Sequence, residues 1–121
     1  MKRIYFIDSK TSGRNFIKNL NKLTKNDNII YVTRNNKDNV ERIYKEEISK
    51  MKSNFKIESA YINPIRYDST VFVISELIGK YIDNKNTEFY IVSTNKQFEA
   101  LIDFYNEEFN SNKKIQLIEA I

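Results

Sequence analysis

The chain has 121 residues, 40% of them apolar and 30% charged, which suits one soluble globular domain with a single core and is too little for two. Cysteine and histidine are both absent, excluding disulfides, thiol nucleophiles, zinc centres with Cys or His ligands, and histidine acid–base catalysis. Twenty basic against 16 acidic side chains leave a net charge of +4, compatible with nucleic acid and equally with an ordinary lysine-rich surface.

Two glycines and one proline argue against an all-β protein and for helices joined by loops of Asn, Lys, Ser and Asp, which supply turn chemistry without glycine. RIYFID (3–8) is β-branched and aromatic and ends on an acid, as a first strand would. FIKNLNKL (16–23) places Phe16, Ile17, Leu20 and Leu23 at helical spacing, with Ser12 as a cap before Gly13. NIIYVT (28–33) is the second strand. Asp38 and Glu41 form a capping-box pattern ahead of an apolar face of Val40, Ile43, Tyr44, Ile48 and Met51.

FKIESAYI (55–62) alternates as a third strand. After Pro64, STVFVISELIGKYI (69–82) is apolar on more than one face, so a largely buried helix is expected, with Gly79 permitting close approach. FYIVST (89–94) is strand four. Phe98, Leu101, Ile102 and Tyr105 mark a helix that Thr94 and Gln97 cap, and KIQLIEAI (114–121) is strand five. The order βαβαβαβαβ predicts a Rossmann-like three-layer α/β/α fold with a five-stranded, mainly parallel sheet, as one domain over 1–121. The opening MKRIYFIDSK holds only four apolar residues in a row before Asp8, too few for a signal peptide. No segment reaches membrane-spanning length either, so a cytoplasmic location without membrane contact is expected.

Parallel sheets of this kind collect function at the carboxyl ends of their strands, near the point where strand order reverses. Asp8 ends the first strand, Asp68 opens the apolar helix, and Glu99 lies one turn into the helix after strand four. Converging there, two or three carboxylates could hold a divalent cation. Structural roles compete with this: a turn cap for Asp8, a helix N-cap for Asp68, and an ordinary first-turn acid for Glu99. Neither G-x-G-x-x-G nor G-x-x-x-x-G-K-[ST] occurs, which disfavours dinucleotide enzymes and phosphate-loop NTPases. A receiver domain would need an acid at the end of strand three, where Ile62-Asn63-Pro64 stands.

Three stretches resemble the small bacterial PIN-like (PIN/NYN) nuclease domains. FIDSKTSG (6–13) resembles their opening strand, with an aspartate followed five residues later by glycine. RYDSTVFVISELIGKYI (66–82) resembles their aspartate-led apolar helix, and FYIVSTNKQFEALIDFY (89–105) their last acidic turn and helix. The resemblance implies a metal-dependent ribonuclease, with Asp8, Asp68 and Glu99 as catalytic acids and Asp8, Asp68 and Asn95 around Mg²⁺ or Mn²⁺. Asn95 stands where the family usually has aspartate, and Gln97 where many members have glycine; an amide brings no charge to a cation. Ser9, Lys10 and Thr11 replace the Asn or Glu often found after the first aspartate, and Lys10, if it points into the site, would compete with the metal for the acids.

RNA is the expected partner, with Lys10, Arg34, Arg66 and Lys96 placed by loop position to guide its phosphates. The alternative is a catalytically inactive PIN-like module binding RNA or a protein partner, in a toxin or defence setting as one option. Tyr67 and Tyr105 are candidates for exposed contact residues. The oligomeric state, a homodimer included, stays open.

Overall fold

The computed structural model of the protein describes residues 1–12, 16–60, 69–108 and 115–121, with backbone alone at Thr11, Ser12 and Ser69. Five strands follow the chain: β1 (Lys2–Asp8), β2 (Asp27–Thr33), β3 (Asn54–Ser59), β4 (Thr87–Val92) and β5 (Ile115–Ile118). They pair in the order β3-β2-β1-β4-β5, and every pair is parallel. The sheet is therefore all parallel, and order reverses between β1 and β4. Helices α1 (Ser9–Ser12), α2 (Lys37–Ile43), α3 (Lys45–Lys50), α4 (Ser69–Tyr81) and α5 (Gln97–Glu108) complete the described elements.

Strand alternation divides the core in two. Ile4, Phe6, Ile30, Val32, Phe89 and Ile91 face α4 and α5, where Ile74, Ile78, Phe98 and Ile102 meet them. Tyr5, Ile7, Ile29, Tyr31 and Val92 face the other way, toward Phe16, Leu23, Val40 and Tyr44. The central strand is covered on both sides, which is why RIYFI contains no polar residue between Arg3 and Asp8. Gly79 also has its expected role: a Cβ there would lie 3.0 Å from the hydroxyl of Tyr105, which donates to the carbonyl of Ser75 at 2.8 Å. That contact locks α5 against α4. It also buries Tyr105, which is therefore no exposed contact residue; Tyr67 lies outside the described residues.

The first crossover departs from expectation. Residues 16–23 do not form a helix; they hold only a 3-10 turn, Leu20–Lys22. The side chain of Asn19 accepts from the amide of Asn21, an alternative to helical bonding that asparagine offers readily. The amides of Lys18 and Asn19 donate to the carbonyl of Ile121, and the Ile121 amide returns a bond to Phe16. The segment thus binds the end of the chain, and this pairing follows β5, which stops at Ile118 rather than running to 121. Phe16 and Leu23 are buried all the same. Ser12 ends the short α1 instead of capping a longer helix, and Gly13 lies outside the described residues.

The helical region after β2 is broken as well. Asn36, not Asp38, provides the cap, its side-chain oxygen accepting from the Asp38 amide at 2.7 Å. Tyr44, at φ −104 and ψ 17, separates α2 from α3. The break leaves Ile43 exposed while Val40 and Tyr44 reach the core.

An ion pair at the amino edge had no sequence signature. Asp27, fully buried, accepts from Arg3 Nε at 2.7 Å and Nη2 at 3.1 Å, and from the amide and hydroxyl of Thr24. The pair joins the starts of β1 and β2. Replacing Asp27→Ala would strand Arg3 and both Thr24 donors, with an expected loss of about 2–4 kcal/mol in urea unfolding. A loss under about 0.5 kcal/mol would show that solvent already supports Arg3.

One buried and one half-buried phenol give a pH dependence. Burial, reinforced by the hydrogen bond to Tyr44, raises the Tyr31 phenol well above the ordinary value. Burial and the bond it donates to Glu88 push Tyr90 up to about 12. Both folded values exceed the unfolded value of 10, so the neutral phenols favour the fold below pH 10 and this stability is lost as pH rises toward and beyond 12. Urea midpoints should fall across that window, and less so for Tyr90→Phe; tyrosinate absorbance reports the ionisation.

Candidate functional site

The carboxyl edge is shaped by one repeated local device. Asp8 ends β1, and its Oδ1 accepts from the amide of Lys10 at 3.2 Å. Thr33 ends β2, and its hydroxyl accepts from the amide of Asn35 at 2.9 Å. Ser93 follows β4, and its hydroxyl accepts from the amide of Asn95 at 2.9 Å. Each of the three inner strands therefore turns through a side chain that captures the backbone two residues on, a geometry open to Asp, Thr and Ser without any positive φ.

Two of these turns are joined. Asp8 continues the alternation of Ile4 and Phe6 onto the α4/α5 face, and Ser93 continues that of Phe89 and Ile91 onto the same face. The Ser93 hydroxyl donates to Asp8 Oδ2 at 2.7 Å, across the point where strand order reverses. Ser93 is itself fixed by its amide, which donates to the carbonyl of Ile118 on β5 at 2.9 Å. Asp8 is 0% exposed. A carboxylate so buried needs polar compensation, and it has the Ser93 hydroxyl and the Lys10 amide. Serine 93 is the residue that reading the sequence left out of the site; its signal was the hydroxyl pair that ends strand four.

The remaining candidates are placed as follows. Asn95 is half-buried, and its Oδ1 accepts from the amide of Gln97, the first residue of α5, at 3.0 Å. Glu99 stands in the first turn of α5 with its side chain 59% exposed and 3.6 Å from Lys96 Nζ. Lys10, Arg34 and Lys96 are exposed at the same edge of the sheet. Asp68 and Arg66 lie outside the described residues; α4 begins at Ser69, directly after Asp68, and Thr70 in its first turn is fully buried. Among the described residues no three acids come together as a metal-holding group.

Set against known protein families, curated proteins and solved structures, the chain matches none. What is shown is the architecture: an all-parallel five-stranded sheet flanked by helices, with a buried aspartate at its switch point. Among the described residues no helix is long and apolar enough to cross a membrane.

The Asp8–Ser93 junction predicts an unequal pair of variants. Ser93→Ala removes the donor to a buried carboxylate and the acceptor for the Asn95 amide, with an expected cost of about 2–3 kcal/mol in urea unfolding. Asn95→Ala removes the acceptor for the first amide of α5, at about 1 kcal/mol. Equal effects would mean that Ser93 does not support Asp8.

Proposed function

We propose that this chain is a PIN-like domain of ribonuclease type that acts on RNA at the carboxyl edge of its sheet. The observation that carries the reading is Asp8: an acid fully buried at the β1/β4 switch point, held by Ser93 on the face that α4 and α5 cover. A structural cap needs no such burial, whereas ligand chemistry in open parallel sheets gathers at that point. Lys10, Arg34 and Lys96 give the edge exposed cations for a phosphate backbone.

The donor chemistry fits a hard dication in kind, since every candidate ligand is an oxygen. Asp8 and Asp68 would hold Mg²⁺ or Mn²⁺, with Asn95 and Glu99 completing or orienting the shell. Such an ion polarises a phosphate and lowers the pKa of a bound water. The chain's own contribution is to fix Asp8: the Ser93 hydroxyl and the Lys10 amide bind different oxygens and set the plane of the carboxylate. A carboxylate oxygen accepts more than one contact, so these bonds orient Asp8 without excluding a cation.

A second reading, binding without cleavage, is favoured by two specific observations. The Asn95 oxygen is engaged by the Gln97 amide, and Glu99 sits in solvent beside Lys96. Both weaken the acidic shell and leave RNA contact intact.

Labelled single-stranded RNA incubated with Mn²⁺ or Mg²⁺ distinguishes the two. The ribonuclease reading expects metal-dependent cleavage that Asp8→Asn lowers on the order of a hundredfold while the fold, followed by circular dichroism, survives. Retained RNA binding without cleavage moves the assignment to the binding module. A protein that neither cleaves nor binds RNA sinks both.

A further inference from the structure

Strand β3 is an edge strand, paired with β2 alone among the described residues. Its backbone phase can be read from one bond: the Ala60 amide donates to the Thr33 carbonyl at 2.7 Å. In a parallel ladder alternate residues turn both polar groups to the same neighbour. Glu58 and Lys56 therefore face β2 with their backbones, and Ile57 and Phe55 turn theirs outward.

The side chains obey the same alternation. Lys56 and Glu58 share the α4 face and pair with each other at 2.8 Å, both partly exposed. Phe55 and Ile57 lie on the opposite face, half-buried, beside a groove of ≈ 460 Å³ that α2 and α3 complete through Lys37, Glu41, Lys45 and Ile48. A second hollow of ≈ 300 Å³ flanks the strand on the α4 face beside Lys56 and Tyr81. A backbone edge unpaired among the described residues, with a hollow on each face, is the geometry that accepts an added strand.

We infer that β3 pairs antiparallel with β3 of a second copy of this chain, about a two-fold axis at Ile57, joining two five-stranded sheets into one. The commitment to a second copy comes from charge. In that register each Lys56 stands opposite Glu58 of the partner subunit, twice by symmetry. The outward-facing Ile57 exchanges both its hydrogen bonds with Ile57 of the partner subunit. Lys56 and Glu58 then occupy the non-hydrogen-bonded positions, where opposed side chains come closest. Two-fold axes moved by one residue fail on the same logic: centred on Lys56 they oppose two ammonium groups, and centred on Glu58 two carboxylates. Charges on an edge strand ordinarily repel added strands; an alternating Lys-Ile-Glu admits one register of itself. The inference is independent of the ribonuclease reading, because β3 contributes none of its candidate residues.

Sedimentation velocity over about 1–300 µM tests it. The wild type should dimerise, and Lys56→Glu and Glu58→Lys should each weaken the dimer about tenfold, because each opposes like charges at two symmetric sites. The doubly swapped Lys56→Glu/Glu58→Lys chain should regain wild-type affinity. An equimolar mixture of the two single variants should form a heterodimer, since every opposed pair is then of opposite sign. Ile57→Pro, which removes an outward-facing amide that the monomer does not use in its ladder, should be monomeric with a native circular dichroism spectrum. A wild type monomeric throughout the range overturns the inference, as does a dimer that ignores the charge exchanges.

Discussion

The double pairing of β1 is the constraint from which the rest of the molecule follows. β1 bonds to β2 along one side and β4 along the other, and apolar layers cover both its faces. A strand enclosed in this way can meet solvent or ligand only at its ends, and each end carries an acid-based contact. At the amino end Arg3 grips the buried Asp27 and ties β1 to β2. At the carboxyl end Asp8 takes the Ser93 hydroxyl and ties β1 to β4. The first contact is stabilising only, since its charges cancel. The second holds a fully buried carboxylate at the switch point of strand order, where ligands of open parallel sheets gather.

Scarcity of glycine explains much of the local geometry. Among the described non-glycine residues only Asn86 adopts a positive φ, at 53°, in the turn into β4. Elsewhere the chain turns by letting Asp, Asn, Ser or Thr side chains accept the amide two residues later, at Asp8, Asn19, Thr24, Thr33, Asn36, Ser93 and Asn95. These bonds turn the chain there without a positive φ. They also occupy the polar side chains that a binding site would otherwise recruit. Asn95 is the clearest case, because the oxygen that would meet a cation is the one that accepts from the Gln97 amide.

The architecture was largely legible in the sequence, because strands buried on both faces write continuous β-branched and aromatic runs and the helices between them are amphipathic. The five strands, α4, α5 and the role of Gly79 were all readable in this way. The 16–23 segment was not: Phe16, Ile17, Leu20 and Leu23 have helical spacing, but their backbone is claimed by Ile121 at the far end of the chain. Periodicity records which side chains go inward, not which backbone partner they find. The cap of α2 shifted by two residues, from Asp38 to Asn36, because several adjacent residues could supply an acceptor. Of the site, Asp8 was legible as an acid closing an apolar strand. Its bond to Ser93 was invisible, since nothing local couples residues 85 positions apart.

That separation has a consequence for the newborn protein. β1 leaves the ribosome well before β4, one of its two neighbours, and the parallel pairings allow no early hairpin substitute. Until β4 and Ser93 have been synthesised, Asp8 has neither its donor nor its dry surroundings, and the central strand has an open edge. Synthesis at roughly 5–20 residues per second keeps that edge exposed for several seconds. A chain cut short before residue 93 therefore cannot assemble the junction of Asp8 with Ser93.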